Sequence, residues 1–176
     1  MASRVFQAFD ATSALQMTEN FYFGKIKLPS TQVFAVSRHS FAFVNIKPFM
    51  PGHSLVSPSR IVKRFKDMTA EELLDFNSMV QVVAEALELK YDGTASSIVI
   101  QDGEAAGQTI PHVHAHIIPR HFNDLERPDS IYAELEKGDQ PRRTQEEMAI
   151  TANETRPFIE KVITERLVGC LQGTDI

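Results

Sequence analysis

Three histidines occupy alternate positions in the stretch HVHAHII that begins at residue 112. Imidazole ionises near neutral pH, so it can act as a base, a nucleophile or a metal ligand. Side chains alternate across a β-strand, at about 3.3 Å per residue. A strand here would therefore place His112, His114 and His116 on one face, about 6.6 Å apart along the chain, with Val113, Ala115 and Ile117 on the other. The pattern predicts a polar row that faces a ligand and is backed by an apolar core.

Four interpretations of this row are open. The first is a chance row on a solvated face, and the second is a zinc site. The third is an acid–base or nucleophilic centre, and the fourth is a passive anion site made of protonated imidazoles. Zinc would need a third ligand, for which the spare candidates are His53 and Asp102, and the chain has no cysteine pair. Passive anion binding would weaken above about pH 6.5, where imidazole loses its charge.

The residues before the row favour chemistry at phosphorus. Gly103 and Gly107 allow a sharply turned loop that offers backbone N–H groups to an anion, and Gln108 and Thr109 add neutral donors. Gln101 closes the preceding apolar run and could bind a leaving oxygen. Without the adjoining histidines, this loop would read as an ordinary connection between strands.

The elements that must position these groups follow from periodicity. Short aromatic and β-branched runs at 21–24, 32–36, 41–45, 54–57 and 96–101 predict strands, the first three as a meander. A capping box at Thr69 predicts a long helix that ends before Tyr91, and a second one at Thr144 predicts a C-terminal helix that Pro157 would interrupt or end. Strands and helices do not alternate regularly. This predicts an α+β fold with an antiparallel sheet and helices packed on it.

Composition excludes several classes of protein. The chain has 176 residues and carries 18 Lys+Arg against 23 Asp+Glu, a net charge of −5, which argues against nucleic-acid and anionic-membrane partners. No run of 18 apolar residues is present, so we expect no conventional membrane span. The single cysteine, Cys170, favours a reducing compartment and a cytoplasmic protein, with a nuclear pool allowed. Residues 1–20 read as a loosely ordered arm, with a weak organellar presequence as the alternative.

The histidine row resembles the signature of the histidine triad family, in which three histidines alternate with apolar residues. Further blocks resemble the fragile histidine triad branch of that family, which hydrolyses dinucleoside triphosphates. They occur in the same order, and together they cover residues 21–148: Phe41–Ala42–Phe43–Val44–Asn45, Lys47–Pro48, Pro51–Gly52–His53, Gln101–Asp102–Gly103, Ala106–Gly107–Gln108–Thr109 and Asp129–Ser130–Ile131–Tyr132.

The resemblance implies a fold with a five-stranded antiparallel sheet, a long helix packed on it and a C-terminal helix, and a homodimer with a ten-stranded sheet. It implies that His114 attacks the α-phosphorus of diadenosine triphosphate and carries AMP, which water then releases. The other implied roles are phosphate and bridging-oxygen contact for His116 and Gln101, orientation for His112 and His53, ribose binding for Asn45, phosphate binding for Gly107, Gln108, Thr109 and Ile110, and a substrate contact for Tyr132.

The resemblance also implies no protein-bound cofactor, only a divalent cation (Mg²⁺ or Mn²⁺) that accompanies the substrate phosphates. Residues 21–148 would form the family domain and 149–176 a C-terminal helical extension without a counterpart in the compact family pattern. Ile26 stands where the family can carry a nucleotide-contacting histidine. An apolar adenine slot could use Phe23, Ile26, Phe34 or Leu55, each of which is also a core candidate.

Three other functions remain open at this point. A nucleoside phosphoramidase of the neighbouring branch usually lacks the combination of Gln101 with residues 129–132. A nucleotidyl transferase typically has glutamine in place of the third histidine, here His116. A dinucleotide-sensing module with slow turnover would need the same pocket as the enzyme.

Overall fold

The computed structural model describes residues 20–171, with side chains described through residue 168. The predicted arm at 1–20 therefore lies almost wholly outside the described residues. Within them the chain forms seven strands and three α-helices, joined by short 3₁₀ turns. In chain order these are β1 (Phe21–Phe23), β2 (Ile26–Leu28), β3 (Val33–Val36), β4 (Ser40–Val44), β5 (Ser54–Pro58), α1 (Ala70–Tyr91), β6 (Ala95–Ile100), β7 (Ala115–Arg120), α2 (Ile131–Lys137) and α3 (Gln145–Leu171).

Five strands form one sheet in the order β3-β4-β5-β7-β6, and every neighbouring pair is antiparallel. The predicted α+β fold with a five-stranded antiparallel sheet is confirmed. Side chains on one sheet face pack under the helices, and those on the other face form a separate aromatic cluster with the β1–β2 hairpin. The sheet therefore has an apolar helix side and a second side on which a site can be built.

The first predicted strand does not join this sheet. Residues Phe21–Phe23 pair instead with Ile26–Leu28 in a separate two-stranded hairpin, so the predicted meander is wrong at its start. The cause is Gly24, whose φ of +60° reverses the chain and pairs the strand with its own continuation. Phe21 and Phe23 are buried, and their rings contact Phe41 and Phe43 on the sheet at 5.3 and 5.2 Å.

Helix α1 begins as predicted and ends one residue later than predicted, at Tyr91. Thr69 Oγ1 accepts a hydrogen bond from the Glu72 N–H, and the Glu72 carboxylate accepts one from the Thr69 N–H. Asp92, in the left-handed conformation with φ 56°, ends the helix after Tyr91. One face of α1 lies against the sheet, since Phe76, Val80, Val83 and Leu87 are all buried.

Helix α3 begins after the predicted capping box at Thr144 but is not interrupted by Pro157, so that part of the prediction is wrong. An interior proline costs about 3 kcal/mol. Apolar residues on both sides of it, Ala152, Ile159 and Val162, are fully buried in the same core as α1, and each large aliphatic group contributes about 1.5–3 kcal/mol. Burial on both sides of Pro157 therefore offsets the lost hydrogen bond and keeps the helix continuous.

The contacts of α3 also cover the β3 edge of the sheet. The Arg156 Nη2 donates to the Val33 carbonyl oxygen at 2.8 Å, next to an irregularity in the register between β3 and β4. The C-terminal segment supplies part of the main core. None of the helices within 20–171 combines the length and the apolar character needed to cross a bilayer.

Candidate active site

The histidine row begins before its strand. We predicted a strand from His112, but β7 begins at Ala115, so only His116 of the three lies in regular sheet. The backbone before it bonds elsewhere, because the Val113 carbonyl accepts from Ser57 Oγ at 2.7 Å and the Val113 N–H donates to the Val62 carbonyl at 2.7 Å. At Val113, hydrogen bonds to the Ser57 side chain and to the Val62 carbonyl thus take the place of the backbone hydrogen bonds of a strand ladder.

The predicted alternation of faces nevertheless holds. The apolar partners Val113, Ala115 and Ile117 are at most 1% exposed and belong to the core on the helix side. The imidazoles point to the other side, where His114 lies 5.0 Å from His116 and 4.9 Å from the Phe23 ring, measured between ring centroids. The extended backbone keeps the period of two even where the strand pairing stops.

The ring of His112 is held from both ends. Its Nδ1 accepts a hydrogen bond from the Gly24 N–H at 3.0 Å, so this nitrogen carries no proton. Its Nε2 lies 3.2 Å from the Arg60 carbonyl oxygen, which can only accept, so Nε2 carries the proton. With a fully buried ring and both nitrogens engaged, His112 is a neutral imidazole of one tautomer and is not open to substrate.

The tautomer of His114 follows from its neighbour. Its Nδ1 lies 2.8 Å from the carbonyl oxygen of His112, so Nδ1 donates and Nε2 carries a lone pair. Nε2 has no hydrogen-bond partner within the described residues and is not among their fully buried unpartnered atoms. His114, which is 4% exposed, therefore carries an unprotonated ring nitrogen, as a nucleophile requires.

His116 pairs with a fourth histidine. His53, placed just before β5, has its Nε2 2.8 Å from Nδ1 of His116, and a single proton must lie between the two atoms. The Asn45 Nδ2 lies 3.1 Å from Nε2 and 3.4 Å from Nδ1 of His53, so it can donate to whichever of them holds the lone pair, while the Asn45 oxygen accepts from the Lys47 N–H at 3.0 Å. Asn45, predicted to bind ribose, thus contacts His53 in this structure.

Burial keeps all four imidazoles neutral. Removal from water lowers the pKa of His112 and His114 below the usual 6.5. Burial first and the neighbouring His114 second lower the pKa of His53 and His116 as well. Protonation of any one ring would create a buried positive charge whose neighbours carry no negative charge to stabilise it. The row is therefore a set of bases at pH 7, which does not suit passive anion binding by charged histidines.

Gln101 is the first residue after the ladder between β6 and β7, which ends with Ile100 opposite Ala115. By the alternation of side chains it lies on the same face as Val99, the residue paired with His116. The Gln101 side chain lies across Gly107, where a Cβ would be only 2.5 Å from the Gln101 Nε2. Gly107, at φ +88°, is therefore the residue that lets this amide lie against the loop backbone.

The role of Gln108 differs from the prediction. Its Oε1 accepts from the Gly103 N–H at 2.7 Å and its Nε2 donates to the Lys63 carbonyl at 3.1 Å, so the amide fixes the loop instead of standing free for phosphate. Within the described residues, the N–H groups of Thr109 and Ile110 form no hydrogen bond. They are the donors that this stretch can still offer to an anion.

Other predicted residues fall inside and outside the site. Phe23 and Leu55 pack on the histidine side of the sheet, and Ile26 is 48% exposed on the hairpin. Phe34 belongs to the core on the helix side, so it cannot line an adenine slot. Tyr132 is exposed on α2, and its side chain makes no hydrogen bond or ring contact with the histidines in the part of the chain described.

Asp102 is not free to bind zinc. Its carboxylate accepts two hydrogen bonds from the Arg64 guanidinium and one from the Phe65 N–H. These contacts lower the pKa of Asp102, the Arg64 hydrogen bond first. Residues 20–171 contain no group of three or more histidine, cysteine or acidic side chains arranged to hold a metal. The zinc interpretation therefore lacks its third ligand.

Sequence reasoning missed three participants. Gly24 and the Arg60 carbonyl fix His112, and Ser57 replaces the strand hydrogen bond at Val113. Gly24 and Arg60 act through backbone atoms, and the type of a residue does not reveal what its backbone atoms contact. A glycine after an aromatic strand could have revealed the turn at Gly24, but not its contact with a histidine 88 positions away.

A pocket of about 380 Å³ adjoins the far end of the row. Its walls come from the β4–β5 loop, from the end of α1 and from the start of α3, and include Phe49, Tyr91 and Arg143. His53 is the one histidine among its lining residues. The pocket thus meets the row only at His53, and the row itself lies on the sheet face that the hairpin covers.

Comparisons with known proteins agree with this geometry. Residues 28–123 match the family described as HIT domain. The chain is 45% identical over 140 residues to a bis(5'-adenosyl)-triphosphatase of Dictyostelium discoideum, covering 80% of this chain and 93% of the relative. It is 49% identical over 123 residues to an asymmetrical bis(5'-nucleosyl)-tetraphosphatase of Schizosaccharomyces pombe, covering 70% of this chain and 67% of the relative.

A solved structure supports the same assignment. The diadenosine triphosphate hydrolase of Plasmodium falciparum, crystallised with cyclomarin A, superposes with a TM-score of 0.72 at 29% identity and covers 90% of this chain and 96% of that one. The five-stranded sheet, the row on one face and these similarities lead to one assignment. The chain belongs to the histidine triad (HIT) family.

Proposed function

We propose that this protein is a hydrolase that splits dinucleoside triphosphates, diadenosine triphosphate first among them, into AMP and ADP. The single observation that carries the proposal is the neutral His114 ring, whose Nδ1–H donates to the His112 carbonyl and whose Nε2 is left as a free base. The names of the relatives in Dictyostelium discoideum and Plasmodium falciparum supply the substrate.

In the first step, Nε2 of His114 attacks the α-phosphorus and a P–N bond forms. The bond from that phosphorus to the bridging oxygen breaks, and ADP leaves with the electron pair. Because phosphate groups ionise a second time near pH 6, ADP is stable as an anion and needs no strong acid to depart. This matches a site whose other histidines are held neutral.

In the second step, water attacks the phosphorus of the histidine–AMP adduct. A P–O bond forms, and the P–N bond breaks with its electron pair returning to Nε2 of His114. AMP leaves with the water's oxygen, and the proton that the water loses passes to the solvent. Splitting one displacement into two lets the same nitrogen serve as nucleophile and as leaving group. The Nδ1–H bond to the His112 carbonyl stabilises the ring while it carries the nucleotide.

Donors for the phosphate oxygens come from the segment that leads into the row. The Gln101 amide lies against Gly107, and the N–H groups of Thr109 and Ile110 have no other partner in the described residues. His116 lies at the other side, 5.0 Å from His114 between ring centroids. Phe23, Leu55 and Ile26 offer apolar surface to a base on the same side of the sheet.

The divalent cation enters this scheme as part of the substrate. Asp102 is committed to Arg64, so we expect Mg²⁺ or Mn²⁺ to be held by the phosphates and water. Chelators would then slow turnover, and magnesium added back would restore it. Elemental analysis that finds stoichiometric zinc in the washed protein would contradict this part of the proposal.

A longer polyphosphate is the second candidate substrate. The relative in Schizosaccharomyces pombe, at 49% identity, is named for tetraphosphate cleavage. Parallel assays with diadenosine triphosphate, diadenosine tetraphosphate and an adenosine phosphoramidate would rank the three chemistries. We expect the triphosphate to give the highest kcat/KM, and a preference for the phosphoramidate would move the protein to the neighbouring branch.

A homodimer also belongs to this proposal. The β6 edge of the sheet pairs on one side only, and its residues Ala95–Ile100 are exposed or half-buried, with Ile98 50% exposed. Pairing of two such edges would give a ten-stranded sheet. Ile98→Asp should convert a dimer into a monomer in sedimentation experiments. A monomeric wild-type protein would exclude this arrangement.

We propose a cytoplasmic location, which the single cysteine favours because it excludes an intramolecular disulfide. Cell fractionation tests this placement. Recovery in a membrane-enclosed organelle would instead favour the presequence interpretation of residues 1–20.

The decisive experiment is mass spectrometry of enzyme quenched during turnover. We expect an added AMP on the peptide that contains residues 112–116, and none in the His114→Asn variant. Turnover with no adduct at any quench time would favour direct attack by water, and an adduct on another residue would remove His114 from the nucleophile role. Comparison of turnover with residence time separates an enzyme, which releases product quickly, from a sensor.

A further inference from the structure

One polar contact joins the β1–β2 hairpin to the histidine row. The hairpin forms its own two-stranded sheet and packs on the main sheet through Phe21, Phe23 and Leu28. Between Phe23 and the second strand, the Gly24 N–H donates to Nδ1 of His112 at 3.0 Å, in a buried position. The hairpin thus contributes a directional contact where the rest of its packing is apolar.

This contact completes a bridge across three segments of the chain. On the other side of the ring, Nε2 of His112 donates to the Arg60 carbonyl in the loop after β5. The ring is therefore held between a backbone donor and a backbone acceptor, which admits one tautomer only. Rotation of the ring by 180° about the Cβ–Cγ bond would put C–H groups in place of both nitrogens and break both hydrogen bonds.

The bridge fixes the atom on which the nucleophile depends. The carbonyl of His112 accepts the His114 Nδ1–H at 2.8 Å, so any shift of residue 112 moves this acceptor. Phe23, the residue before Gly24, contacts both rings, with centroids 5.9 Å from His112 and 4.9 Å from His114. A displaced hairpin would therefore lose the tautomer lock and the ring contact together.

Only glycine fits this position in the hairpin. Gly24 has a φ of +60°, and a Cβ there would be 2.9 Å from Cγ2 of Ile110, in the loop that leads to the row. A distance below 3.0 Å requires something to move, and Ile110 is itself packed against the aromatic cluster on this side. A side chain at residue 24 would thus push the hairpin away from His112.

We propose that Gly24 is a positioning residue for the nucleophile: its backbone amide holds His112 as the Nε2–H tautomer, and His112 in turn sets the place and tautomer of His114. Gly24 touches neither substrate nor reacting atom in this scheme. The effect on turnover rests on the proposed function, whereas the tautomer lock is a property of the free protein and can be measured without substrate.

The first test uses the wild-type protein with ¹⁵N-labelled backbone and histidines. We expect a scalar coupling across the hydrogen bond between the Gly24 amide nitrogen and Nδ1 of His112. We also expect His112 nitrogen shifts of a single Nε2–H tautomer. A mixed or Nδ1–H tautomer, or an Nδ1 not coupled to Gly24, would overturn the proposal whatever the protein hydrolyses.

The second test compares Gly24→Ala with the matched control Gly138→Ala. Gly138 also has a positive φ, +54°, but a Cβ there meets nothing closer than 3.8 Å and the residue follows α2, away from the row. We expect Gly24→Ala to mix the His112 tautomers and to lower kcat about ten- to a hundredfold with a smaller change in KM, as small misplacements of reacting groups do. Gly138→Ala should keep the wild-type spectrum and kcat.

Adding Ile110→Ala to Gly24→Ala removes the atom that a Cβ would strike. We expect partial recovery of both the single tautomer and kcat. A folded Gly24→Ala protein with an unchanged His112 spectrum would overturn the proposal. Loss of hydrolysis with the tautomer intact would do the same, because it would show that Gly24 acts by another route. A wild-type protein that has the lock but does not cleave dinucleotides would refute only the proposed function.

Discussion

The two ends of the histidine row are held in different ways. At one end, His112 and His114 bond to backbone groups of Gly24, Arg60 and His112 itself, so the proton on each ring has one possible place. At the other end, His116 and His53 bond to each other, and the Asn45 amide touches both nitrogens of the His53 ring. The proton between these two rings can sit on either.

This difference assigns separate tasks to the two ends. Backbone groups cannot change their donor or acceptor character, so they create a permanent lone pair on Nε2 of His114. A pair of imidazoles can exchange which nitrogen donates, so His116 can present either a donor or an acceptor to a phosphate oxygen. One end is built for a fixed nucleophile, and the other can follow changes in the substrate.

The largest effect is expected from His114→Asn. The Asn side chain retains a donor near the place of Nδ1, and so the bond to the His112 carbonyl, but it has no nitrogen at the position of Nε2. We expect kcat to fall at least about a thousandfold, with dissociation constants for the substrate within about threefold of wild type. Single-turnover kinetics and calorimetry measure the two quantities. Hydrolysis retained at a tenth of the wild-type rate would exclude the nucleophile role.

Stability should depend on pH through the whole row. The folded pKa of each of these histidines lies below the unfolded value of about 6.5, so the unfolded chain binds more protons below that pH. The free energy of unfolding is therefore fully present above pH 6.5 and decreases as the pH falls. Each buried imidazole contributes up to about 1 kcal/mol of loss between pH 6.5 and 5.5.

Urea unfolding at pH 7.5, 6.5 and 5.5 measures this dependence, and kcat/KM should decline in the same direction as His114 becomes protonated. The decline in rate should begin below pH 6.5, because burial lowers the pKa of His114. A free energy that is flat from pH 7.5 to 5.5, or a rate that still rises at pH 5, would show that the row does not remain neutral.

His53→Ala should separate the two ends. It removes the partner of His116 Nδ1 and leaves the contacts of His112 and His114 unchanged. We expect a loss in kcat of about tenfold, and recovery of part of it in His53→Gln, whose amide can donate or accept. The ¹⁵N spectrum of His114 should be that of the wild type in both variants. An altered His114 tautomer would mean that the ends are coupled.

Asn45→Ala should give the smallest effect, because in this structure the Asn45 amide influences the row only through its contact with His53. We expect kcat to fall about threefold, in keeping with the loss of one neutral hydrogen bond of about 0.5–1.5 kcal/mol. A parallel assay with a 2'-deoxy substrate tests the ribose contact that the family resemblance implies. A rise in KM alone, absent with the deoxy substrate, would assign Asn45 to ribose and not to His53.

The fold was largely predictable because its signals are local. The capping boxes at Thr69 and Thr144 mark the helix starts, and the alternation of histidine with apolar residues determines which side faces the helices. One error has a non-local cause: Pro157 is accommodated because the helix around it is buried against elements distant in sequence. The other error is local, because β1 pairs with β2 through the turn at Gly24, a glycine that the prediction of a meander did not take into account.

The site was predictable in its side chains and not in its backbone. Residue types pointed to the histidines and to Gln101, but the carbonyl of Arg60 and the amide of Gly24 look the same in every sequence. Gln108 shows the converse problem. Its amide suits a phosphate as well as a loop, and only the placement of Gly103 and Lys63 decides between them.

The contact of Arg156 with Val33 has a consequence for how copies of this chain can assemble. With the guanidinium occupying a carbonyl of β3 and α3 lying over that margin, a neighbour cannot extend the sheet there. The other edge strand of the sheet, β6, is the one that can pair with a strand of a second copy. One such pairing occupies this edge completely. Assembly through the sheet, as proposed above, would therefore be self-limiting: it would close at two copies without propagating into a fibre.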